Sequence, residues 1–184
     1  MRIISGSLGG RRLHTVEGEG YRPAMGKTRE ALFSMLLSRG MRFADARVLD
    51  LFAGSGSLGF EALSRGAAEA VFVESGPAPA RCLARNIEEL GVQDRARLLR
   101  DDVRKVLLRP PADLVDLVFI DPPYRKNLLN MCLTGLEERG WLAPEAFITA
   151  ELEKGAPFSA PESWEPLADR AFGQTRILIW KKRA

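Results

Sequence analysis

Residues 47–59 read Arg-Val-Leu-Asp-Leu-Phe-Ala-Gly-Ser-Gly-Ser-Leu-Gly, a short apolar run followed directly by a glycine-rich turn. Apolar residues without regular polar alternation are typical of a strand that is buried on both faces of a sheet. The next residues have helical spacing, and Gly66 marks the end of that helix. The stretch therefore predicts a strand, a tight loop and a helix, which is the first unit of an α/β fold.

The same alternation of strands and helices continues toward the carboxyl terminus. Two β-type runs between Glu165 and Lys181 have no helix between them, so we expect them to pair antiparallel. The remaining strands are separated by helices and should be parallel. Strands are predicted over 47–52, 70–74, 96–101, 114–120, 146–152 and the two late runs, and helices over 57–65, 79–90, 103–108 and 127–139. These elements predict a mostly parallel seven-stranded sheet that ends in an antiparallel hairpin.

Residues 1–40 precede this pattern and are expected to form an extension to an α/β domain of residues 41–184. A Gly/Arg-rich β-hairpin is predicted over residues 2–15, and a helix from about Thr28 to Ser38 with Thr28 as its N-cap. Residues 1–47 carry nine Lys and Arg against four acids. Such a basic region suits a polyanion such as nucleic acid, although a solvated basic surface would have the same composition.

Composition excludes several other classes of protein. No apolar run approaches the roughly 20 residues that span a bilayer, and the first residues do not resemble a signal peptide, so a cytoplasmic location is expected. The chain has two cysteines and one histidine. This set predicts neither a disulfide framework nor a metal site.

The glycine loop and the acids near it indicate a bound nucleoside. Gly54, Gly56 and Gly59 fit the G-x-G-x-x-G pattern, and Glu74 ends the next strand about 20 residues later, where an acid binds a ribose diol. Both NAD and S-adenosylmethionine carry such a diol. Asp50 favours the second, because a carboxylate there would repel a pyrophosphate but attract an ammonium group; Asp50 could instead cap backbone amides of the turn. Of the two acids after the third strand, Asp101 and Asp102, one is expected to accept a hydrogen bond from an adenine amino group.

The tetrapeptide Asp121-Pro122-Pro123-Tyr124 follows the fourth strand directly. A carboxylate and a backbone carbonyl at this point can accept hydrogen bonds from both N–H groups of a nucleobase amine. The prolines fix φ and hold these acceptors in place, and the Tyr124 ring offers a surface for base stacking. A strand-ending turn has a similar composition, but the combination with the glycine loop favours methyl transfer to an exocyclic amine.

At these motifs the sequence resembles the RsmD-type bacterial 16S ribosomal RNA guanine-N2 methyltransferases. The resemblance rests on residues 50–59 and 121–124, and extends to Arg2-Ile3-Ile4-Ser5-Gly6, Gly10-Arg11-Arg12-Leu13, Arg22-Pro23, residues 28–33 and Gly140-Trp141-Leu142. It implies the class I, Rossmann-like methyltransferase fold. It also implies a guanine N2 target in 16S rRNA, within a small-subunit particle, and a monomeric protein. Ala24 stands where the family usually has threonine, which leaves the role of that loop open.

The resemblance implies a set of site residues. The catalytic residues would be Asp121, Pro122, Pro123 and Tyr124. S-adenosylmethionine would be bound by Thr28, Asp50, Phe52, Ala53, Gly54, Ser55, Gly56, Glu74, Ser75, Asp102 and Val103, with the helix that begins at Thr28 closing over the methionine end. RNA would be bound by Arg2, Arg11, Arg12, Arg22, Lys27 and Arg29.

Three other functions share parts of this pattern. An adenine-N6 methyltransferase acting on DNA or RNA uses the same tetrapeptide, and the residue spacing does not distinguish it from a guanine-N2 enzyme. A nicotinamide-dependent oxidoreductase shares the glycine loop but leaves Asp121 to Tyr124 without a role. A non-catalytic RNA-binding module would not need an intact tetrapeptide.

Overall fold

One sheet of seven strands, in the order β3-β2-β1-β4-β5-β7-β6, forms the centre of the protein. The computed structural model describes residues 1–16, 23–123 and 128–184, with only the backbone described for residues 23–25. Strands β1 to β5 are parallel, and β7 pairs antiparallel with both β5 and β6. The elements are α1 (Pro23–Ser38), β1 (Arg47–Leu51), α2 (Ser57–Ser64), β2 (Glu69–Val73), α3 (Pro77–Leu90), β3 (Ala96–Leu99), α4 (Val103–Leu107), β4 (Val115–Ile120), α5 (Leu128–Glu138), β5 (Leu142–Glu153), β6 (Trp164–Phe172) and β7 (Thr175–Lys182). The predicted α/β architecture with its terminal antiparallel hairpin is confirmed.

Alternate residues of the central strands enter two different apolar cores. Leu117 and Phe119 pack in one core, whereas Val118 and Ile120 pack in the other. This follows from the two-residue period of a strand. Because both faces are covered, the strands contain few charged positions, which explains their apolar composition.

Some predicted element boundaries were wrong. Helix α1 begins at Pro23 rather than Thr28, so Thr28 is not an N-cap but lies inside the helix. Proline at the first helical position has no N–H to leave unpaired and a φ already suited to the helix. Strand β5 begins at Leu142, four residues before the predicted start, and β3 ends at Leu99, before Asp101.

Within residues 1–16, called the extension from here on, two extended arms are joined by a turn. Its backbone has a single isolated bridge between Arg2 and Arg12, supported by hydrogen bonds from Ile3 N to Arg11 O and from Gly10 N to Ile3 O. Ile3 and Leu13 are buried in the same apolar core as Val48 of β1. The boundary between residues 40 and 41 stays a prediction, and this core contains residues from both sides of it.

A buried carboxylate fastens the extension to helix α2. Glu61 is 0% exposed and accepts hydrogen bonds from the backbone amides of Ile4 (2.7 Å) and Ser5 (3.1 Å) and from Arg65 (2.9 Å). Ser64 is also buried, and its hydroxyl accepts from Leu8 N and donates to Ser5 O. The helix that follows the glycine loop therefore also supports the extension.

Over the part of the chain that the structure describes, no helix combines the length and the apolar character needed to cross a membrane.

Candidate active site

The strand register places three of the predicted site segments level with one another. Leu51 at the end of β1 pairs with Val73 of β2 and with Ile120 of β4. The residues that follow are Phe52, Glu74 and Asp121, so all three lie at the carboxyl edge of adjacent strands about 4.8 Å apart. Chain connections leave β1 in one direction and β4 in the other, and such a switch point is where open α/β sheets bind ligands.

The loop after β1 depends on left-handed backbone conformations. Phe52, Gly54 and Gly56 have φ of 62°, 54° and 82°. At Gly56 a Cβ atom would lie 2.4 Å from Leu83 Cδ1 and 2.5 Å from Phe60 Cε2. No larger residue fits there without displacing its neighbours, so the glycine is required by both conformation and space.

Glu74 links this loop to the loop after β2. One carboxylate oxygen accepts from Gly54 N at 2.9 Å and the other from Gly76 N at 2.5 Å. These bonds fix the direction of the carboxylate. The residue predicted to bind a ribose diol is thus held in place by backbone amides of two loops.

A cavity of about 410 Å³ opens next to Glu74. Five of the predicted cofactor residues line it: Phe52, Glu74, Ser75, Asp102 and Val103. Pro123 of the predicted catalytic segment also lines the cavity. So do four residues that were not predicted as site residues: Val73, Arg104, Leu128 and Met131. Leu128 and Met131 are three residues apart on α5 and so share a helical face, but the sequence does not show that this face turns toward the cavity.

Asp102 rather than Asp101 lines the cavity. It caps α4 by accepting from Arg104 N at 2.8 Å, and it pairs with the Arg104 guanidinium at 2.6 Å. The Arg104 hydrogen bond lowers the pKa of Asp102 to about 2. Asp101 instead pairs with Arg109 at 2.9 Å. Asp102 is therefore ionised and partly neutralised by Arg104.

Asp50 is almost fully buried on β1, with 2% of its surface exposed. Its Oδ2 accepts a hydrogen bond from Gly59 N at 3.0 Å, so it supports the start of α2. Burial raises the pKa of Asp50 to about 7, and the nearby Glu74 charge adds to this shift. The structure thus shows the capping role considered above, and the assignment of Asp50 to the cofactor stays a prediction.

The remaining predicted cofactor residues are not among those that line the cavity. Ala53, Gly54, Ser55 and Gly56 form the loop beside it, and Thr28 lies in α1.

The proposed acceptor segment begins immediately after β4. Asp121 is half-buried, Pro122 is buried and Pro123 is exposed at the cavity rim. Tyr124 lies outside the described residues. The structure therefore places the first three residues of this segment at the edge where Glu74 and the glycine loop also lie.

The predicted RNA-binding residues divide into two groups. Arg2, Arg12, Lys27 and Arg29 line one open cleft of about 560 Å³ between the extension and α1. Arg29 is only 7% exposed and donates to Arg2 O at 2.6 Å. Arg11 turns the other way and donates to the carbonyls of Glu89 and Leu90 at the end of α3. Arg22 lies outside the described residues.

Comparison with known proteins gives one consistent result. A family model described as Conserved hypothetical protein 95 matches residues 1–181. Ribosomal RNA small subunit methyltransferase D of Escherichia coli is 36% identical over 186 residues, covering 100% of this chain and 91% of the relative. The protein of the same name in Haemophilus influenzae is 37% identical, covering 94% of this chain and 89% of the relative.

A solved structure has the same fold over the whole chain. The Escherichia coli protein yhhF superposes with a TM-score of 0.88 at 36% identity, covering 100% of this chain and 98% of that one. Together with the sheet order and the site geometry, these matches identify the chain as a class I methyltransferase that belongs to the RsmD family, described as Conserved hypothetical protein 95.

Proposed function

We propose that this enzyme transfers a methyl group from S-adenosylmethionine to the exocyclic N2 of a guanine in 16S ribosomal RNA. The main support for the proposal is that Asp121, Glu74 and the glycine loop lie side by side at the carboxyl edge of the sheet. The choice of RNA target is supported by the names of the relatives, which are small-subunit rRNA methyltransferases.

The cavity beside Glu74 suits an adenosine group. Phe52, Val103 and Met131 offer apolar walls for a purine ring, and the fixed Glu74 carboxylate can accept hydrogen bonds from a ribose diol. Asp102 lines the same cavity, and its Oδ2, which pairs with Arg104, has a further lone pair that can accept from an adenine amine. When bound, S-adenosylmethionine supplies a methyl group on a positively charged sulfur atom. The residues present therefore fit this cofactor.

Asp121 and Pro122 supply the acceptors for the target amine. The lone pair of an exocyclic amine is delocalised into the ring, so the amine is a weak nucleophile. Hydrogen bonds from both of its N–H groups, one to the Asp121 carboxylate and one to the Pro122 carbonyl, would help to localise that lone pair. Consecutive prolines hold the segment without an ordering cost at each binding event. Tyr124 would stack on the base after it leaves its helix.

The extension supplies the cationic surface for RNA. Arg2, Arg12 and Lys27 are exposed around one cleft, and exposed cations bind phosphates by a salt-dependent, sequence-independent interaction. We place the reaction in the cytoplasm, with a monomeric enzyme acting on rRNA within a small-subunit particle.

The test combines labelled S-adenosylmethionine with two substrates from cells that lack this enzyme: naked 16S rRNA and isolated small subunits. Mass spectrometry of the labelled RNA should locate one N2-methylguanosine. Methylation at adenine N6 would replace the proposed target by the alternative chemistry. Tight binding of NADH without any binding of S-adenosylmethionine would overturn the methyltransferase assignment.

A further inference from the structure

Asn86 on α3 is a buried polar residue that the proposed chemistry does not use. It is 1% exposed and forms three hydrogen bonds. Its Oδ1 accepts from His14 N at 2.8 Å, and its Nδ2 donates to His14 O at 3.1 Å and to Ser55 O at 3.0 Å. One side chain thus contacts both the extension and the glycine loop.

The glycine loop needs such support because glycine is conformationally permissive, so holding it in one conformation costs backbone entropy. Gly54 and Gly56, on either side of Ser55, both have positive φ. Within the loop, Gly56 N donates to Ala53 O at 2.7 Å, and Glu74 holds Gly54 N. The bond from Asn86 reaches the same loop from α3, at the carbonyl between these two glycines.

His14 fixes the direction of the Asn86 amide. The His14 N–H requires an acceptor, so the amide oxygen faces the extension. The amide nitrogen is then left with two N–H groups, which serve His14 O and Ser55 O. The extension therefore determines that a donor, and not an acceptor, faces the loop.

We propose that Asn86 is a positioning residue for the cofactor. It holds the Ser55 carbonyl, and through it the glycine loop, in the conformation that binds S-adenosylmethionine. The Asn86 side chain is itself held by its two hydrogen bonds to the His14 backbone. Asn86 acts through Ser55 and does not touch the cofactor. This inference rests on the cofactor part of the proposed function.

Asn86→Asp tests the inference with a side chain of the same shape. The ionised carboxylate still accepts from His14 N, but it cannot donate to Ser55 O or to His14 O and turns an acceptor toward both. We expect the Kd for S-adenosylhomocysteine, measured by calorimetry, to rise about tenfold or more. The KM for S-adenosylmethionine should rise by a similar factor while kcat at saturating cofactor stays within about twofold, because only binding is affected.

Ser64→Ala is the matched control. Ser64 is also buried and polar, and it holds the same extension through Leu8 N and Ser5 O, but it lies at the far end of α2 from the glycine loop. We expect this variant to lose thermal stability with an unchanged Kd for S-adenosylhomocysteine. If Asn86→Asp does not fold, as judged by circular dichroism, Asn86→Ala replaces it without introducing a charge.

Three outcomes distinguish the possible failures. Wild-type affinity in a folded Asn86 variant, or an equal loss of affinity in Ser64→Ala, would overturn the positioning role alone. Wild-type protein that binds S-adenosylhomocysteine but does not methylate 16S rRNA would overturn the proposed target and leave the positioning role intact. Wild-type protein that does not bind S-adenosylhomocysteine would overturn both.

Discussion

At the carboxyl edge of the sheet three acids are held by backbone amides, whereas around the cleft of the extension the charged groups include cations that reach solvent. Glu74 is fixed by two amides, Asp50 by one and Asp102 by the amide of Arg104. Arg12 and Lys27, in contrast, are exposed. Groups fixed in this way suit one small ligand of defined shape, while exposed cations suit a polyanion whose phosphates need no single placement.

The largest expected effect is at the edge itself. Asp121→Ala removes the proposed acceptor for the target amine but leaves the Glu74 cavity unchanged. We expect methyl transfer to fall below detection in a labelled S-adenosylmethionine assay, while the Kd for S-adenosylhomocysteine stays within a few-fold. Near-normal turnover would contradict the role given to Asp121.

Glu74→Gln should weaken cofactor binding without affecting RNA affinity. Glutamine can still accept from a loop amide, but it loses the charge that strengthens hydrogen bonds to a ribose diol. Hydrogen bonds to charged groups contribute roughly 1.5–3 kcal/mol, so we expect the Kd for S-adenosylhomocysteine to rise about tenfold or more. Calorimetry measures the affinity for S-adenosylhomocysteine, and filter binding measures the affinity for RNA. An equal loss of both affinities would contradict the assignment of cofactor and RNA to separate regions of the protein.

Arg12→Ala and Arg11→Ala form a matched pair within the extension. Arg12 lines the cationic cleft, whereas Arg11 caps the carbonyls at the end of α3. Loss of one phosphate contact should reduce the slope of log K against log salt by about 0.7 to 0.9. We expect this reduction only in Arg12→Ala, measured by RNA binding over a salt series. An equal reduction of the salt slope in Arg11→Ala would show that Arg11 also contacts a phosphate, although its side chain bonds to α3 in the free protein.

The smallest effect concerns Asp50, whose raised pKa makes stability depend on pH. The unfolded chain loses this proton near the ordinary pKa of 3.8, whereas burial keeps it bound in the folded protein up to about pH 7. The contribution of Asp50 to stability therefore falls as pH rises between these values. Relative to Asp50→Asn, the unfolding free energy of the wild type should fall by about 1 kcal/mol between pH 6 and pH 8. Urea denaturation measures the unfolding free energy of both proteins at the two pH values. The same difference between wild type and Asp50→Asn at pH 6 and at pH 8 would contradict the raised pKa.

The sheet could be predicted well from the sequence because the signals for strands, turns and helices lie in short local stretches of the chain. Apolar runs, glycine turns and the missing helix between β6 and β7 are visible without tertiary contacts. The same is true of the segment that begins at Asp121, since its position after a buried strand determines the edge on which it lies.

The partners of the polar side chains could not be predicted in this way. Asp50 binds Gly59 N, Asn86 binds His14 and Ser55, and Glu61 binds amides 56 and 57 residues away. Such contacts depend on how helices rotate when they pack. A second reason for error was competition between local signals: Pro23 and Thr28 are both good starts for a helix, and the structure begins α1 at Pro23.

The buried Glu61 has a consequence for the order in which the protein can assemble during synthesis. Its partners, Ile4 and Ser5, are translated before the carboxylate that receives their amides, which follows 57 and 56 residues later. Until helix α2 has been made, these two amides lack their acceptor, and Ile3 and Leu13 lack part of the core that covers them. Non-local contacts of this kind have a loop-closure cost, which tends to slow folding.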